Sequence, residues 1–416
     1  MELTAAERQV LNDSARPALA LAMGIVVEAG RMLGAARLLS VASAHIDGCL
    51  YHGDSGVHFL ERLVAGGGRV AVPATLNVGA LDLLHPDLVG GEEHRRAMAR
   101  RLMDAHVALG CTPTWTCAPY QAGHRPALGQ HVAWGESNAV AFANSVLGAR
   151  TERYGDFLDI SCALTGRAPA HGLHLDANRR ATVRVDVTGL SPALLRLDAF
   201  YPVLGAWLGA AVGGAVAVID GLPADVGEDA LKALGAGAAA TGAVGLFHVA
   251  GVTPEAPTVA AAGGGAAPRE TITLTAEMVR AARDRLSTAS AGELDCIALG
   301  SPHFSAAETR TFAGLLAGRR PALPVYLCTG RHAVDELDRD GLRADLEALG
   351  VTFVVDTCVV VTPILKGGGG AMMTNSAKFA HYGQGNTGKG TLFGTLSDCV
   401  ESAVAGRLAR DESQWR

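Results

Sequence analysis

The sequence lacks the short motifs that mark several common active sites. It contains no GxSxG, no HExxH, no CxxC and no GxxxxGK[ST]. The sequence therefore does not predict a serine nucleophile, a zinc protease site, a thiol redox pair or a P-loop. The segment GQGNTGKG has GxGxxG spacing, but no apolar strand precedes it, so it does not predict a dinucleotide site.

The sequence also has no concentration of charge of one sign. Its formal net charge of -6 is spread along 416 residues, without a basic tail or stripe. This argues against nucleic acid and an acidic membrane surface as the main partner and favours a small substrate. The start, MELTAAERQV, lacks the apolar core of a signal peptide, and the eight cysteines are scattered. These features predict a cytoplasmic protein with reduced thiols.

One uncharged stretch, 199–219, approaches the length that crosses a bilayer. It contains Pro202, and aspartates rather than basic residues flank it. Gly205, Gly209 and Gly213 recur at helical spacing, which allows close helix packing. We expect a buried helix of a soluble protein.

The chain is long enough for two or three α/β units, since 49% of its residues are hydrophobic. An Ala/Gly-rich run, VTPEAPTVAAAGGGAAP, separates two differently patterned parts. We predict an N-terminal α/β region over 1–268, with most substrate loops, and a Rossmann-like unit over 269–365. A glycine-rich substrate loop and a helix are predicted over 366–416. In the first region, RATVRVDVTG alternates in the manner of a hairpin strand.

The second part alternates strands with helices, which predicts a parallel sheet. The predicted strands are DCIALG, PVYLCTG and VTFVVDTCVVV, and the predicted helices are TAEMVRAARDRLS, SAAETRTFAGLLAG and AVDELDRDGLRADLEALG. Ser305 and Glu308 have the spacing of a capping box. Ser301 and Cys358 follow strand ends, where ligands of open parallel sheets bind, so we expect them to lie near each other.

Polar residues also cluster at predicted loop positions. The clusters contain His45 and Asp47, Ser55, Thr75 and Asn77, Glu136 and Asn138, and, after a glycine run, Asn375, Ser376 and Lys378. Turn formation, helix capping or buried hydrogen bonds explain any single cluster equally well. Several such clusters at strand and helix ends together favour a binding site.

Cys111 and Cys117 flank a tryptophan in CTPTWTCAPY and form the one close cysteine pair of the chain. A disulfide, a redox pair and half of a metal site are all open interpretations. Thiolates bind iron and zinc wherever the fold assembles them, so the two need not act together. Cys117 precedes a loop containing Pro119 and is the better ligand candidate.

Five segments resemble the aconitase X family, and its bacterial branch most strongly. They are AHIDGCLY, VPATLNVGALDLLHP, GCTPTWTCAPY, AWGESNAVAFANSVLGARTERYGDFLDI and TNSAKFAHY, and the resemblance spans nearly the whole chain. It implies an aconitase-like α/β fold, with several units of parallel sheet around a central site and without the swivelling domain. It also implies a cytoplasmic hydro-lyase that uses an iron centre as a Lewis acid.

The resemblance further implies cysteine ligands of an iron–sulfur cluster. Cys117 and Cys358 match two of them, whereas Ser301 stands where archaeal relatives carry a third. A serine oxygen is a harder, weaker ligand for iron than a thiolate. We therefore expect an iron centre that is smaller or more labile than a full cubane cluster. The alternatives are a 2Fe-2S, 3Fe or 4Fe-4S cluster and a labile iron. Cys296 is expected to point into the core.

The implied substrate of the bacterial branch is cis-3-hydroxy-L-proline, dehydrated to Δ1-pyrroline-2-carboxylate. The alternative is mevalonate 5-phosphate, the implied archaeal substrate, for which Arg150, Arg153 and Lys378 are phosphate-binding candidates. A separate small subunit is implied to supply the swivelling domain. A non-enzymatic, iron-responsive RNA-binding protein is a remote alternative that the acidic balance disfavours.

Site roles follow from this resemblance as expectations. Ser55, Glu136 and His45 are the candidate proton-handling residues, and Lys378 is expected to bind the substrate carboxylate with Asn375 and Ser376. The remaining expected substrate-binding residues are Asp47, Thr75, Asn77 and Asn138.

Overall fold

The computed structural model describes residues 1–367 and 369–415, which form three α/β units in chain order. The first unit contains α1 (Ala5–Leu11), α2 (Pro17–Met32), β1 (Leu38–Ser40), β2 (Ala44–Ile46), α3 (Asp54–Ala65), β3 (Ala74–Leu76), α4 (Glu93–Ala108), β4 (Ala133–Trp134), α5 (Ser137–Ser145), α6 (Leu158–Thr165) and β5 (Arg167–Pro169). Its central sheet is parallel in the order β3-β2-β4, and β1 and β5 form an antiparallel pair.

The second unit is built on a four-stranded parallel sheet. It contains β6 (Val183–Asp186), α7 (Pro192–Leu195), α8 (Phe200–Val212), β7 (Ala217–Asp220), α9 (Glu228–Thr241), β8 (Phe247–Val249), α10 (Val259–Ala262), β9 (Glu270–Thr273) and α11 (Ala276–Asp284). The strand order is β8-β7-β6-β9, and β6 pairs in parallel with both of its neighbours. The hairpin predicted from RATVRVDVTG is therefore wrong. The alternation of β6 arises because one of its faces is buried and the other is partly exposed.

The third unit carries a five-stranded parallel sheet. It contains β10 (Leu294–Phe304), α12 (Ala306–Leu316), β11 (Val325–Thr329), α13 (Arg331–Arg339), α14 (Leu342–Ala348), β12 (Val351–Val355), β13 (Ala371–Thr374), α15 (Ala377–Thr387), β14 (Gly390–Phe393) and α16 (Leu396–Ala405). The strand order β12-β11-β10-β13-β14 confirms the predicted parallel sheet. The capping box at the start of α12 is present, with Ser305 and Glu308 in the predicted roles.

Two predicted elements of this unit are interrupted. The helix expected over 333–350 divides into α13 and α14, because Gly341 adopts the left-handed conformation with φ of 74°. The strand expected through Cys358 ends at Val355, and the next residue, Asp356, has φ of 65°. The turn that follows carries Cys358 away from the sheet.

The uncharged stretch 199–219 forms α8 and most of β7 rather than one continuous helix. A Cβ at Gly205 would overlap the Leu234 carbonyl oxygen of α9, and one at Gly209 would lie 2.5 Å from the Ala238 carbonyl oxygen. The small residues therefore allow α8 and α9 to pack closely, as expected. Within 1–367 and 369–415, no helix is long and apolar enough to cross a membrane.

The sheets group the chain differently from the predicted boundaries at 268 and 365. The first boundary separates β9 and α11 from the second sheet, and the second separates β13 and β14 from the third. The reason is that β9 pairs with β6, and β13 pairs with β10, across long stretches of chain. The predicted glycine-rich loop includes Gly368, which lies outside the described residues.

Candidate active site

A cavity of about 460 Å³ lies between the first and third units. Its polar lining is formed by Asp47, Tyr51, His52, Asn77, Arg95, Cys117, Glu136, Ser137, Ser301, Cys358, Lys378, Tyr382 and Asn386. Val360, Val361 and Phe379 form an apolar part of the wall. Seven residues predicted for the site, among them both proposed thiol ligands, thus meet in one place.

The first unit brings three of these residues together through its parallel sheet. Asp47 and Asn77 directly follow β2 and β3, and Glu136 lies two residues beyond β4. His45 on β2 is level with Thr75 and Trp134 on its neighbours, so the carboxyl ends of the three strands meet at one edge.

Two glycines permit the close approach of backbone at this edge. A Cβ at Gly135 would lie 2.7 Å from the Asp47 Cβ, so a larger residue would push Asp47 out of place. Gly300, just before Ser301, has φ of 92°, and a Cβ there would overlap the Cys328 carbonyl oxygen. Both positions therefore require glycine.

Glu136 and Lys378 form an ion pair that joins the two units across the cavity. The Glu136 side chain is 4% exposed, and its second oxygen accepts the Ala139 N–H at the start of α5. Burial alone would lower the pKa of Lys378, but the Glu136 carboxylate raises it. Lys378 is therefore a permanent cation in the cavity.

Asp47 is a carboxyl group of the cavity wall whose pKa lies near neutral pH. Burial and then the Glu136 charge raise its pKa from 3.8 to about 7, against the opposing effects of Lys378 and of a hydrogen bond from Asn77. The Asn77 side-chain oxygen is buried and has no hydrogen-bond partner in the described chain. It is thus an acceptor available to a bound ligand.

Cys117, Cys358 and Ser301 bring two thiols and one hydroxyl to the cavity from three separate segments. Burial raises the pKa of Cys117 to about 12, although Lys378 lowers it, and burial also raises the pKa of Cys358. Both thiols are protonated unless a cation is bound to them. Across the described ranges, no group of three His, Cys, Asp or Glu side chains has the arrangement of a metal site.

All eight cysteines are unpaired and buried in the described structure, which removes the disulfide interpretation of Cys111 and Cys117. Cys296 lies among apolar side chains of the third unit, as predicted. Cys111 belongs to the apolar core of the first unit. Of Cys111 and Cys117, only Cys117 lines the cavity.

Several predicted residues lie behind the cavity wall. His45 is fully buried, and its Nδ1 lies 2.9 Å from Thr75 Oγ1, which is also 2.7 Å from His124 Nδ1. Asn138 donates to the Cys117 carbonyl oxygen at 3.1 Å and thereby supports the Cys117 loop. These residues support the wall.

Ser376, Asn375 and Ser55 also lie elsewhere than expected. Ser376 caps α15 and donates to the Ser301 carbonyl oxygen. Asn375 lines a smaller cavity beside Lys232. Ser55, expected to handle protons, lies in a separate cavity of about 70 Å³ at the start of α3.

Sequence reasoning missed Arg95, Tyr382 and Asn386 as lining residues. Arg95 lies on α4, and its guanidinium carbon is 5.8 Å from the centre of the Tyr51 ring. Asn386 belongs to the GQGNTGKG segment, whose spacing suggested only an unsupported nucleotide motif. Arg150, considered for a phosphate, instead forms an ion pair with Asp176.

Comparison with known proteins supports the fold and the resemblance. The models named Aconitase X first, second and third domain match residues 1–177, 181–284 and 294–405. The crystal structure of Thermococcus kodakaraensis aconitase X in its holo-form has a TM-score of 0.86 and 33% identity, covering 97% of this chain and 100% of that one. The predicted aconitase-like α/β fold is thereby confirmed.

Curated relatives fall into two groups. A cis-3-hydroxy-L-proline dehydratase of Pseudomonas aeruginosa is 42% identical, covering 99% of this chain and 72% of the relative. A cis-3-hydroxy-L-proline dehydratase of Hypocrea jecorina is 39% identical, covering 98% of this chain and 69% of the relative. A phosphomevalonate dehydratase large subunit of Methanothermobacter thermautotrophicus is 39% identical, with 89% and 91% covered. By these matches over nearly its whole length, the chain belongs to the aconitase X family.

Proposed function

We propose that this chain is the catalytic part of a hydro-lyase that dehydrates cis-3-hydroxy-L-proline. The C2 proton and the C3 hydroxyl leave as water. The resulting enamine then gains a proton at C3 and loses its N–H proton to solvent, which gives Δ1-pyrroline-2-carboxylate. The observation that carries the proposal is one cavity that contains a carboxyl group with a pKa near 7, a paired lysine and two thiols. The two similar dehydratases named above favour this substrate.

We infer that Cys117, Cys358 and Ser301 would hold the iron centre that the family implies. When bound, iron supplies a Lewis acid that makes hydroxide a better leaving group. The donor set fits an iron centre with two protein thiolates, because both thiols and the hydroxyl line the same cavity. It lacks the three thiolates of an aconitase-type cubane, so a 2Fe-2S cluster or a labile iron suits it better than a full 4Fe-4S cluster.

Asp47 is the proposed acceptor of the C2 proton. A general base works best when its pKa is close to the operating pH, and the pKa of Asp47 is about 7. Glu136 is the second candidate, but both of its oxygens are engaged, one by Lys378 and one by the Ala139 N–H. In this proposal Asp47 replaces Ser55 and His45, which were expected to handle protons.

Lys378 and Asn77 are the proposed substrate-binding residues. The Lys378 ammonium has three N–H donors, and Glu136 takes one, so donors remain for the substrate carboxylate. The unpartnered side-chain oxygen of Asn77 is an acceptor for the ring ammonium of an amino acid substrate. A phosphorylated hydroxy acid has no ammonium group and offers this oxygen only a neutral hydroxyl donor.

Mevalonate 5-phosphate is the second candidate substrate, and Arg95 is the observation that favours it. A guanidinium binds phosphate well, and Arg95 lines the same cavity as Lys378. The large subunit from Methanothermobacter thermautotrophicus is a further reason to test this substrate.

We also propose that a separate small subunit supplies the swivelling domain and that both are cytoplasmic. The relative from Methanothermobacter thermautotrophicus, 39% identical, is named a large subunit, which supports an arrangement of two subunits. The unpaired thiols suit a reducing compartment.

The test is a substrate panel with an iron-replete preparation of both subunits. Pyrroline formation is measured from each of the four 3-hydroxyproline stereoisomers, and loss of mevalonate 5-phosphate is measured separately. We expect turnover of the cis-3-hydroxy-L isomer alone. Turnover of mevalonate 5-phosphate alone would refute the substrate assignment but leave the assignment as a hydro-lyase intact. Inactivity on every substrate would refute both assignments.

A further inference from the structure

His303 lies where three segments of the proposed iron site meet. It follows Ser301 by two residues on β10, and it is fully buried. Its ring Nδ1 is 3.1 Å from Thr116 Oγ1, and its Nε2 is 3.0 Å from the Thr357 carbonyl oxygen. Thr116 and Thr357 directly precede Cys117 and Cys358. One imidazole thus connects the two cysteine loops to the strand that carries Ser301.

The partners of the ring determine its tautomer. A carbonyl oxygen only accepts, so Nε2 carries the hydrogen and donates it to Thr357. The Nδ1 of a neutral ring is then an acceptor, and the Thr116 hydroxyl donates to it. The Thr116 oxygen in turn accepts the Ala118 N–H at 3.2 Å. Both ring nitrogens are therefore satisfied, each by a different cysteine loop.

The His303 backbone is held independently of the ring. Its N–H donates to Cys117 Sγ at 3.3 Å, and its carbonyl oxygen accepts from Lys232 Nζ at 3.2 Å. Lys232 lies on α9 of the second unit, is buried, and forms ion pairs with Asp229 and Glu308. Substitution of the ring leaves these backbone contacts available, so the two ring bonds can be tested by themselves.

We propose that His303 is a positioning residue that sets the places of Cys117 and Cys358 relative to Ser301. Cys117 belongs to the first unit and Cys358 to the third. The part of β10 that contains Ser301 and His303 lies between the two cysteine loops. Residues that orient metal ligands typically change metal affinity by about 10–100-fold when replaced. This proposal rests on the assignment of the three residues as iron ligands, which the same experiment tests separately.

Three variants separate the two ring bonds. In His303→Asn the amide oxygen can replace Nδ1 as acceptor for Thr116, but the shorter side chain loses Thr357. In His303→Gln the amide N–H can replace Nε2 and donate to Thr357, while the Thr116 bond is lost. His303→Ala loses both. A matched control is His248→Ala, because His248 is also buried and its Nε2 lies 2.8 Å from the carbonyl oxygen of Arg179, in the second unit.

The first measurement is the alkylation rate of each cysteine by iodoacetamide in the metal-free protein, read by peptide mass spectrometry. We expect His303→Asn to raise the rate at Cys358 about fivefold or more, and His303→Gln to raise it at Cys117 to a similar extent, since each loses one buried hydrogen bond. His303→Ala raises both rates, and His248→Ala raises neither. Equal rates at both cysteines in the Asn and Gln variants, within twofold of the parent protein, would overturn the proposal even if the Ala variant fails to fold.

The second measurement is the loss of iron from the reconstituted protein to a chelator. We expect the affinity for iron to be about 10–100-fold lower in His303→Ala than in the parent protein. The Asn and Gln variants should have affinities between these two. Changed thiol rates with unchanged iron retention would support the positioning role and refute the ligand assignment. Unchanged thiol rates with lost iron would refute the positioning role.

Discussion

Replacing Asp47 with asparagine separates its catalytic role from its effect on stability. The carboxyl pKa rises from 3.8 to about 7 in the folded protein, through burial and the Glu136 charge. As the pH rises above 3.8, the unfolded chain loses this proton while the folded chain keeps it until about pH 7. The parent protein therefore loses stability across this interval, at about 1.4 kcal/mol per pH unit, or about 4 kcal/mol in all.

Asparagine removes this loss because it never ionises, and its side-chain oxygen can still accept the Asn77 hydrogen bond. Asp47 is partly exposed, so solvent screens part of the effect, and we expect Asp47→Asn to be more stable than the parent protein by about 2–4 kcal/mol at pH 8. The gain should shrink as the pH falls toward 4. Activity should fall by about 10²–10⁴-fold in kcat/KM, since the proton acceptor is lost.

The assay is urea unfolding at pH 5, 6, 7 and 8, together with pyrroline formation by the two-subunit preparation at the same pH values. In the parent protein kcat/KM should rise through about pH 7 as Asp47 ionises. The control is Asp87→Asn, which alters an exposed carboxylate outside the cavity. A variant that keeps kcat/KM within threefold, or a stability difference that does not change with pH, would refute the reasoning.

Four further predictions follow from the same structure. Cys117→Ala should abolish the iron–sulfur absorption while the far-UV circular dichroism is retained, because one of two thiol donors is lost. Ser301→Cys should raise iron and sulfide content or slow their oxidative loss, because it supplies a third thiolate. Lys378→Ala should raise KM and lower the free energy of unfolding by about 3 kcal/mol, since a buried carboxylate loses its partner. Gly205→Ala should lower that free energy by about 1–3 kcal/mol, because α8 and α9 must separate.

Three of these predictions have a matched control. Cys296→Ala removes a thiol outside the cavity and should keep the iron. Glu136→Gln with Lys378→Met should recover part of the stability lost in Lys378→Ala, because no buried charge remains unpaired. Gly214→Ala should be nearly neutral, since the nearest atom to its Cβ is 3.9 Å away. Full iron occupancy in Cys117→Ala, unchanged iron and lability in Ser301→Cys, an unchanged KM in Lys378→Ala, or unchanged stability in Gly205→Ala would each contradict its prediction.

The sequence by itself determined the fold class and the family. Apolar strands alternating with amphipathic helices predict parallel sheets because the two periodicities are local, and the capping box of Ser305 and Glu308 is local for the same reason. The prediction that polar residues gather at strand ends also succeeded for Asp47, Asn77 and Glu136. It rests on a general property of parallel sheets and needs no knowledge of the neighbours.

Only the tertiary structure decided which polar residues face the cavity and which support it. His45 and Asp47 are two residues apart, yet the first is enclosed by Thr75 and Trp134, and the second lines the cavity. The pKa of Asp47 near 7 depends on burial and on Glu136, which is 89 residues away in a separate segment. His303 contacts partners 187 and 54 residues distant. Such contacts form when strands and loops that are remote in sequence pack together. A local sequence pattern does not indicate which remote segments will become neighbours.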